Sequence, residues 1–574
     1  MRWSRRTSST KSSPQTDRCR SLLIELDEDR AEDPGRVGAK AAWLARGRRV
    51  GLPILPGVVV DATVSSAVMA LGAKTLEERG SGGARLVVMR HPLPPGLEAA
   101  IVEAASRLAD TVVVRSSSML EAGAEWSGAF TSYLDIRPEE APAAVRGCWA
   151  SAFGVHTLER FAAADVDVGS TSMAVLIQPA LSPGFGGTAR VEADGSVTVI
   201  GIAGSPALLV GGWERGSMAR VDAAGLVDGD GGIDPVLVAE VAAVMREAAA
   251  ATGANACEWA SVGGDVTLLQ LGAGRRPRIE PVEVDPDFGS SEVARLARLV
   301  RRFPGPLGET HVLPWAVASP MSFLDPVPPV DVPPLAALDQ AGSLAAEMVA
   351  AAWGSGSHDG AERASQALRR LRGGDPAGAA ELFARLLAPD ARQAKWVLGL
   401  LAAVRHGLAE RGSVSRPELG WHVTAERARS ILVGAEPADL QVRFGFDRWE
   451  PFDAAVVIAR GASIHGVPAA PGVAVGRMCF VADAEGAGRF RPRDVVVGTH
   501  ALPNLAPLLW DASAVVTLSG GPGAHLFESA RALGIPAVCG VRLEDIIGGG
   551  VVDASERISL AVDGAAGRVW ADTW

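Results

Sequence analysis

The chain has 574 residues, of which 48% are apolar and 21% charged; at roughly 100–200 residues per domain this is about three to five domains, and such usage excludes disordered, collagen-like and coiled-coil classes. The formal net charge is −11, so there is no surplus of basic residues to form the face that a nucleic-acid backbone requires. No apolar run reaches the roughly 18 residues of a membrane-spanning helix.

Residues 1–20 carry Arg5-Arg6 and many Ser and Thr, but Glu25 interrupts Leu22-Leu23-Ile24, so a disordered tail is expected and not a signal peptide. From Leu22 onward the pattern predicts a short strand, a helix from Ala39 to Arg46 opening just after Gly38, a turn at Gly51-Leu52-Pro53 and a strand at Gly57–Val60. A helix at Leu97–Leu108 and a strand at Thr111–Val114 follow, the strand running into Arg115-Ser116-Ser117-Ser118. This alternation predicts a layered α/β or α+β domain.

Between Met173 and Leu271 the signals turn β-rich: Ala174–Gln178, Gly187–Val191 and Val197–Ile202, then a helix at Pro235–Thr252 and strands at Asn255–Val262 and Val266–Gln270. The turn Gly263-Gly264-Asp265 joins the last two as a hairpin. Residues 274–287, poor in apolar side chains, read as a linker. Residues 290–450 predict helices at Ala361–Leu371, Ala377–Leu387 and Gln393–Arg411, with a break at Pro326–Pro334. Beyond His465, short strands return at Val473–Phe480, Asp494–Gly498, Ala514–Leu518 and Ala537–Val538, with a helix at His525–Leu533.

The cysteines Cys19, Cys148, Cys257, Cys479 and Cys539 form no CxxC pair, so reduced thiols in a cytoplasmic protein are expected. Basic residues are almost all arginine; lysine occurs only at positions 11, 40, 74 and 395. A lysine retained in such a chain suits a compact point charge.

The chemistry concentrates in Thr517-Leu518-Ser519-Gly520-Gly521-Pro522-Gly523-Ala524-His525, where a strand ends in a glycine-rich turn and His525 opens a helix that stops at Gly534. Free amides and the positive end of the helix dipole would stabilise a phosphate on the imidazole. A neutral imidazole is also a nucleophile towards phosphorus at neutral pH. This segment, with Gly534-Ile535-Pro536-Ala537-Val538 and Gly466–Gly476, resembles the swivelling phosphohistidine domain of the family that includes phosphoenolpyruvate synthase, pyruvate phosphate dikinase and rifampicin phosphotransferase. Pro522-Gly523 stands where that family often has Thr or Ser.

The N-terminal half resembles the same family's ATP-grasp module, through Val37–Leu44, Gly51–Gly57, Val114–Ser118, Glu121, Ser127-Gly128 and Thr131–Leu134. The resemblance implies ATP contacts from Lys40, Arg115, Ser116, Glu121 and Gln178, and Mg2+ held by Glu258 and Gln270. Lys40 and Arg115 would gather the charge that develops on the transferred phosphate, and Arg115 over three serines would form an anion nest. The family continues Gln-x-Arg-Pro, whereas the expected arginine falls here on Gly272, leaving Arg275 or Arg276 to reach back.

The resemblance implies a multidomain α/β and α+β protein: an ATP-grasp module (21–110 and 111–280), a helical acceptor-binding domain (290–450) and a C-terminal swivelling β/β/α phosphohistidine domain (464–574). Linkers near 275–290 and 451–465 would hinge. Leu313-Pro314-Trp315 and Gly420–Glu426 resemble landmarks of the rifampicin phosphotransferase branch, with His311, His358, His406 and His422 as candidate pocket residues. A pyruvate-binding barrel of about 250 residues does not follow His525, so the expected acceptor is another small molecule with a hydroxyl, with no nucleic-acid or membrane partner. The expected activity moves the β-phosphate of ATP through His525 to that hydroxyl, releasing AMP and phosphate. Two alternatives share the architecture: an ATP-dependent condensing ligase resembling the prodiginine-forming ones, and a non-catalytic homologue with a degraded ATP site.

Overall fold

A computed structural model describes residues 21–273, 288, 291–354, 357–373, 375–383, 385–414, 417–434, 450–547 and 558–573. The expectations for residues 1–20, 274–287 and Arg275 and Arg276 lie outside the described residues. Among the described residues no helix is long and apolar enough to cross a membrane, and Cys148, Cys257, Cys479 and Cys539 are buried free thiols.

Two antiparallel sheets build the first half. A five-stranded sheet runs in the order Leu23–Glu25, Val58–Val60, Met173–Pro179, Val112–Ser118, Ser132–Ile136. A six-stranded sheet runs Asp265–Gly272, Ala256–Val262, Phe185–Val191, Val197–Ala203, Ser217–Val221, Val227–Gly229. One core lies between the first sheet, the helix Pro34–Arg49, the second sheet and the helix Pro235–Thr252, with Leu44, Leu176 and Trp259 fully buried. A second core, around Trp149 and Phe153, fills the other face of the first sheet. The two sheets are tied where Leu268 donates its amide to Pro53 O, 2.8 Å.

The C-terminal sheet has eight strands, and its centre, Val473–Val481, Val495–Gly498, Ala514–Thr517 and Ala537–Cys539, is parallel. Strands of valine and alanine buried on both faces are what a covered parallel sheet requires. Helices fill residues 291–434 around Trp315, Leu400, Leu401 and Val404.

Three expectations are corrected. Thr63–Arg90, where the pattern predicts no element, is a long helix broken at Gly80, φ +69°; its glycines and weak amphipathicity hide the helical period. Pro334–Trp353 is likewise a helix, with Pro334 in its first turn, where a missing N–H is harmless. Residues 451–465, expected to hinge as a linker, form the helix Glu450–Arg460 and the strand Ala462–His465. That helix presents Phe452 and Val456 to the helical core, and Ala454 and Val457 to the C-terminal sheet.

Candidate functional site

The helix carrying Lys40 is set by one glycine. Gly38 lies at φ +73° and ψ 170° inside Pro34–Arg49, and a Cβ there would fall 2.0 Å from the Ser117 carbonyl oxygen. Only glycine fits both the torsion and the approach. The break restarts the helix just before Lys40, and Ala41 donates its amide to Ser117 Oγ, 3.1 Å. Lys40 Nζ then meets Glu121 Oε1 at 2.6 Å, with side chains only 13% and 4% exposed. Glu121 is itself held by a capping box, accepting the Ser118 amide at 2.9 Å.

Arg115 reaches from the first sheet to the hairpin of the second. Its Nη1 donates to Leu269 O at 2.6 Å, and its Nη2 to Glu258 Oε2 at 3.2 Å and Gln270 Oε1 at 3.0 Å. Glu258 and Gln270 are register partners across the hairpin. Strand pairing thus aims both side-chain oxygens at one point, marked by a single guanidinium nitrogen.

His525 enters from the C-terminal sheet. It opens the helix His525–Leu533, and its Nδ1 shares a hydrogen bond with Ser127 Oγ at 2.8 Å. Ser127 is placed by Arg160, which donates to Ser127 O at 2.9 Å and to Pro503 O at 3.0 Å. The glycine turn before His525 packs backbone against backbone: a Cβ on Gly521 would fall 1.9 Å from Arg215 O. Burial holds the His525 imidazole below its ordinary value of 6.5, with Lys40 and Arg160 lowering it further and Glu258 and Glu528 opposing. With Nδ1 engaged, Nε2 is the nitrogen left for chemistry.

One turn further on, burial that would raise the Glu528 carboxyl is outweighed by Arg190 and Arg531, which hold it well below the usual carboxylate range. Its Oε2 pairs with Arg190 of the six-stranded sheet, and its Oε1 with Arg531 Nη2 at 2.7 Å.

These groups share one cleft of about 450 Å³. Lys40, Arg115, Glu121 and Gln178 line it from the first sheet and its helix, Glu258 and Gln270 from the hairpin, and His525 and Glu528 from the C-terminal helix. Gln178 is oriented by donating Nε2 to Leu55 O, 3.3 Å. Ser116 is not brought to the cleft. The strand continues through Ser118, so Ser116 is fully buried, Ser117 is spent on Ala41 and Ser118 caps the next turn; the three serines form no anion nest. His311 and His406 lie in the helical region and take no part in this cleft.

Residues 35–199 match the pyruvate phosphate dikinase AMP/ATP-binding domain, and residues 490–567 match the mobile domain of PEP-utilising enzymes. Two separate segments of the chain are thus similar to the nucleotide-binding and the mobile domains of such enzymes. It is 26% identical over 312 residues to the prodigiosin-synthesizing transferase PigC of Serratia marcescens, covering 52% of this chain and 32% of that protein. A probable phosphoenolpyruvate synthase of Pyrococcus horikoshii is 27% identical over 157 residues, 27% of this chain and 17% of that one. The phosphoenolpyruvate synthase of Aeropyrum pernix is 38% identical over 109 residues, 19% and 13%. The matches therefore span about a third or less of the length of these relatives.

The cleft suits a nucleoside triphosphate in its donor set. A lysine and an arginine at one end are the charges that phosphate oxygens need, and Glu258 and Gln270, converging on one nitrogen of Arg115, are a pair of oxygens within reach of one small cation. Four residues of the site carried no role in the sequence reading: Ser127, Arg160, Arg190 and Glu528. Local signals were the i, i+3 spacing of Glu528 from His525 on one helix face and the place of Ser127 in a segment resembling the ATP-grasp module, which gave it no task. Ser127, Arg160 and Arg190 lie hundreds of residues from His525 in the chain, beyond the reach of any spacing rule.

Proposed function

We propose that the protein is an ATP-dependent phosphotransferase in which an ATP-grasp arrangement of the two sheets holds the nucleotide and His525 carries the phosphoryl group. The observation that carries this reading is the docking of His525, by Nδ1 on Ser127, in the same cleft as Lys40, Arg115, Glu258 and Gln270. Nε2 would attack the β-phosphorus, forming an N–P bond as the bond to AMP breaks. One water then removes the γ-phosphate as inorganic phosphate, so one ATP gives AMP, phosphate and one phosphohistidine.

Each residue has a definite task. Ser127 holds the ring by Nδ1, and burial keeps it unprotonated and nucleophilic. Lys40, held by Glu121, and Arg115 face the phosphates and stabilise the charge that grows on the leaving oxygens. Glu258 and Gln270 would hold Mg2+, which when bound neutralises phosphate charge. The carrier would then deliver its phosphoryl group to a hydroxyl of a small organic acceptor in the helical region, the N–P bond breaking as the O–P bond forms.

ATP labelled at the β-phosphorus is expected to leave its label on the protein, and ATP labelled at the γ-phosphorus to release it as phosphate. Label retained from the γ position would overturn the dikinase reading. The similarity to PigC over 312 residues favours a second reading for the last step, in which the phosphorylated acceptor is an activated intermediate for condensation. Product analysis with an amine or carbon nucleophile present separates the two: a condensed product supports the second and a stable phosphate ester the first.

A further inference from the structure

Between the nucleotide cleft and the His525 helix runs a seam whose apolar contact is carried by Trp126, 3% exposed, edge-on against Trp510 at 6.4 Å. Among the described residues, every apolar cluster of the C-terminal sheet stays on its own side. Beside it, charged and polar groups cross the seam. Arg190, on the strand Phe185–Val191, pairs with Glu528 on the His525 helix, their side chains 15% and 19% exposed. Arg160, 2% exposed, spans the seam from Ser127 O to Pro503 O.

The Glu528 carboxylate is shared. One oxygen faces Arg190 from across the seam; the other faces Arg531 on its own helix, 11% exposed. Arg531 is in turn fixed within the carrier, donating to Pro522 O at 3.0 Å and to Ala469 O. A buried ion pair that separates leaves an uncompensated charge behind, which strongly opposes separation. Here it would not. When the carrier leaves, Glu528 keeps Arg531, and Arg190 passes to water.

Resting on the phosphotransferase reading above, we propose that Arg190 and Glu528 form the docking contact that holds His525 at the phosphoryl donor, with Arg531 taking the whole carboxylate when the carrier departs. Both are positioning residues, acting through the placement of His525. Charge-assisted pairs in a partly dehydrated seam are strong and directional, so they fix register while still exchanging for water.

The test compares two phosphoryl donors on the intact chain. Mg-ATP serves His525 only from the cleft, whereas phosphoramidate is small enough to phosphorylate the imidazole in any carrier position, its P–N bond breaking to release ammonia as the histidine N–P bond forms. Arg190→Gln is expected to slow labelling by Mg-ATP about tenfold or more, to leave labelling by phosphoramidate unchanged, and to enlarge the radius of gyration measured by small-angle scattering. Arg190→Lys, which keeps the charge facing Glu528, is expected to retain more labelling by Mg-ATP than Arg190→Gln. Wild-type labelling by Mg-ATP in Arg190→Gln, or equal loss with both donors, overturns the docking contact. Scattering reads docking without any chemistry: if the wild-type chain takes no phosphoryl group from ATP, the functional reading falls, while an unchanged radius in Arg190→Gln is what would sink the docking contact.

Discussion

The C-terminal sheet meets its neighbours along two seams that differ in how much of the contact is apolar. Towards residues 291–434 the helix Glu450–Arg460 lies between two apolar cores, with the Phe452 ring tilted against Phe288 at 6.0 Å and Val457 buried against Val475 and Ala561, while Arg301 pairs with Asp453 and Asp572. Towards the nucleotide cleft, beside the aromatic pair Trp126 and Trp510, the contacts include a serine hydroxyl on an imidazole, a guanidinium on two carbonyls and the Arg190, Glu528, Arg531 cluster. Apolar burial is lost in full when surfaces part, because water cannot replace it. Hydrogen bonds and ion pairs exchange for water at a small net difference. On the proposed function, the more polar seam is the one suited to open and close as the carrier moves, and the more apolar seam the one suited to persist.

The largest expected effect breaks the apolar seam. Phe452→Ala removes a nearly fully buried ring and is expected to lower stability by about 3–5 kcal/mol, read as a shift of the urea midpoint; labelling of His525 by Mg-ATP should survive at temperatures where the variant is folded. A loss within about 0.5 kcal/mol would show that this seam is as exchangeable as the other. Next comes Arg115→Gln, which withdraws the guanidinium that joins Glu258, Gln270 and Leu269 in the cleft. Phosphoryl uptake from Mg-ATP should fall about 10²–10³-fold, and an uptake rate near that of the wild type would remove Arg115 from the phosphate site.

Ser127→Ala tests the polar seam at its centre. Losing the hydroxyl on Nδ1 should slow uptake about tenfold with the unfolding midpoint unmoved, and a large stability loss with unchanged uptake would make Ser127 structural. The smallest effect is the pH dependence. Burial disfavours the His525 imidazolium, so the folded chain binds fewer protons there than the unfolded one; the associated stability is fully present above 6.5 and is lost as pH falls through the lower folded value. The midpoint at which uptake falls on acidification should lie below 6.5, with Lys40, Arg160, Glu258 and Glu528 as the charged neighbours that set it. A midpoint at or above 6.5 would mean that the imidazole is solvated.

How much of this the sequence discloses follows from the range of each interaction. The helix His525–Leu533 and the helix Pro235–Thr252 are both found at the predicted residues, because a glycine turn, a capping position and a C-terminal glycine are local signals. The hairpin that pairs Glu258 with Gln270 is equally local. The long helix Thr63–Arg90 escaped because its helical period is diluted by glycines. Ser116 looked like a phosphate ligand from its place after Arg115, but a strand alternates its faces and this serine points into the protein. Arg160 and Arg190 became part of the site only through the packing of the C-terminal sheet on the cleft, which no local pattern encodes, and Ser127, though in the motif Ser127-Gly128, gained its task on His525 the same way.

The central claim is that His525 takes a phosphoryl group from ATP in this cleft. The most direct measurement is mass spectrometry of the intact chain, and of its proteolytic fragments, after incubation with Mg-ATP. The account predicts one phosphoryl mass on the fragment containing His525, stable to alkali, lost in acid and absent in His525→Asn. An unmodified His525 in wild-type protein, or an acid-stable phosphate on another residue, would contradict it.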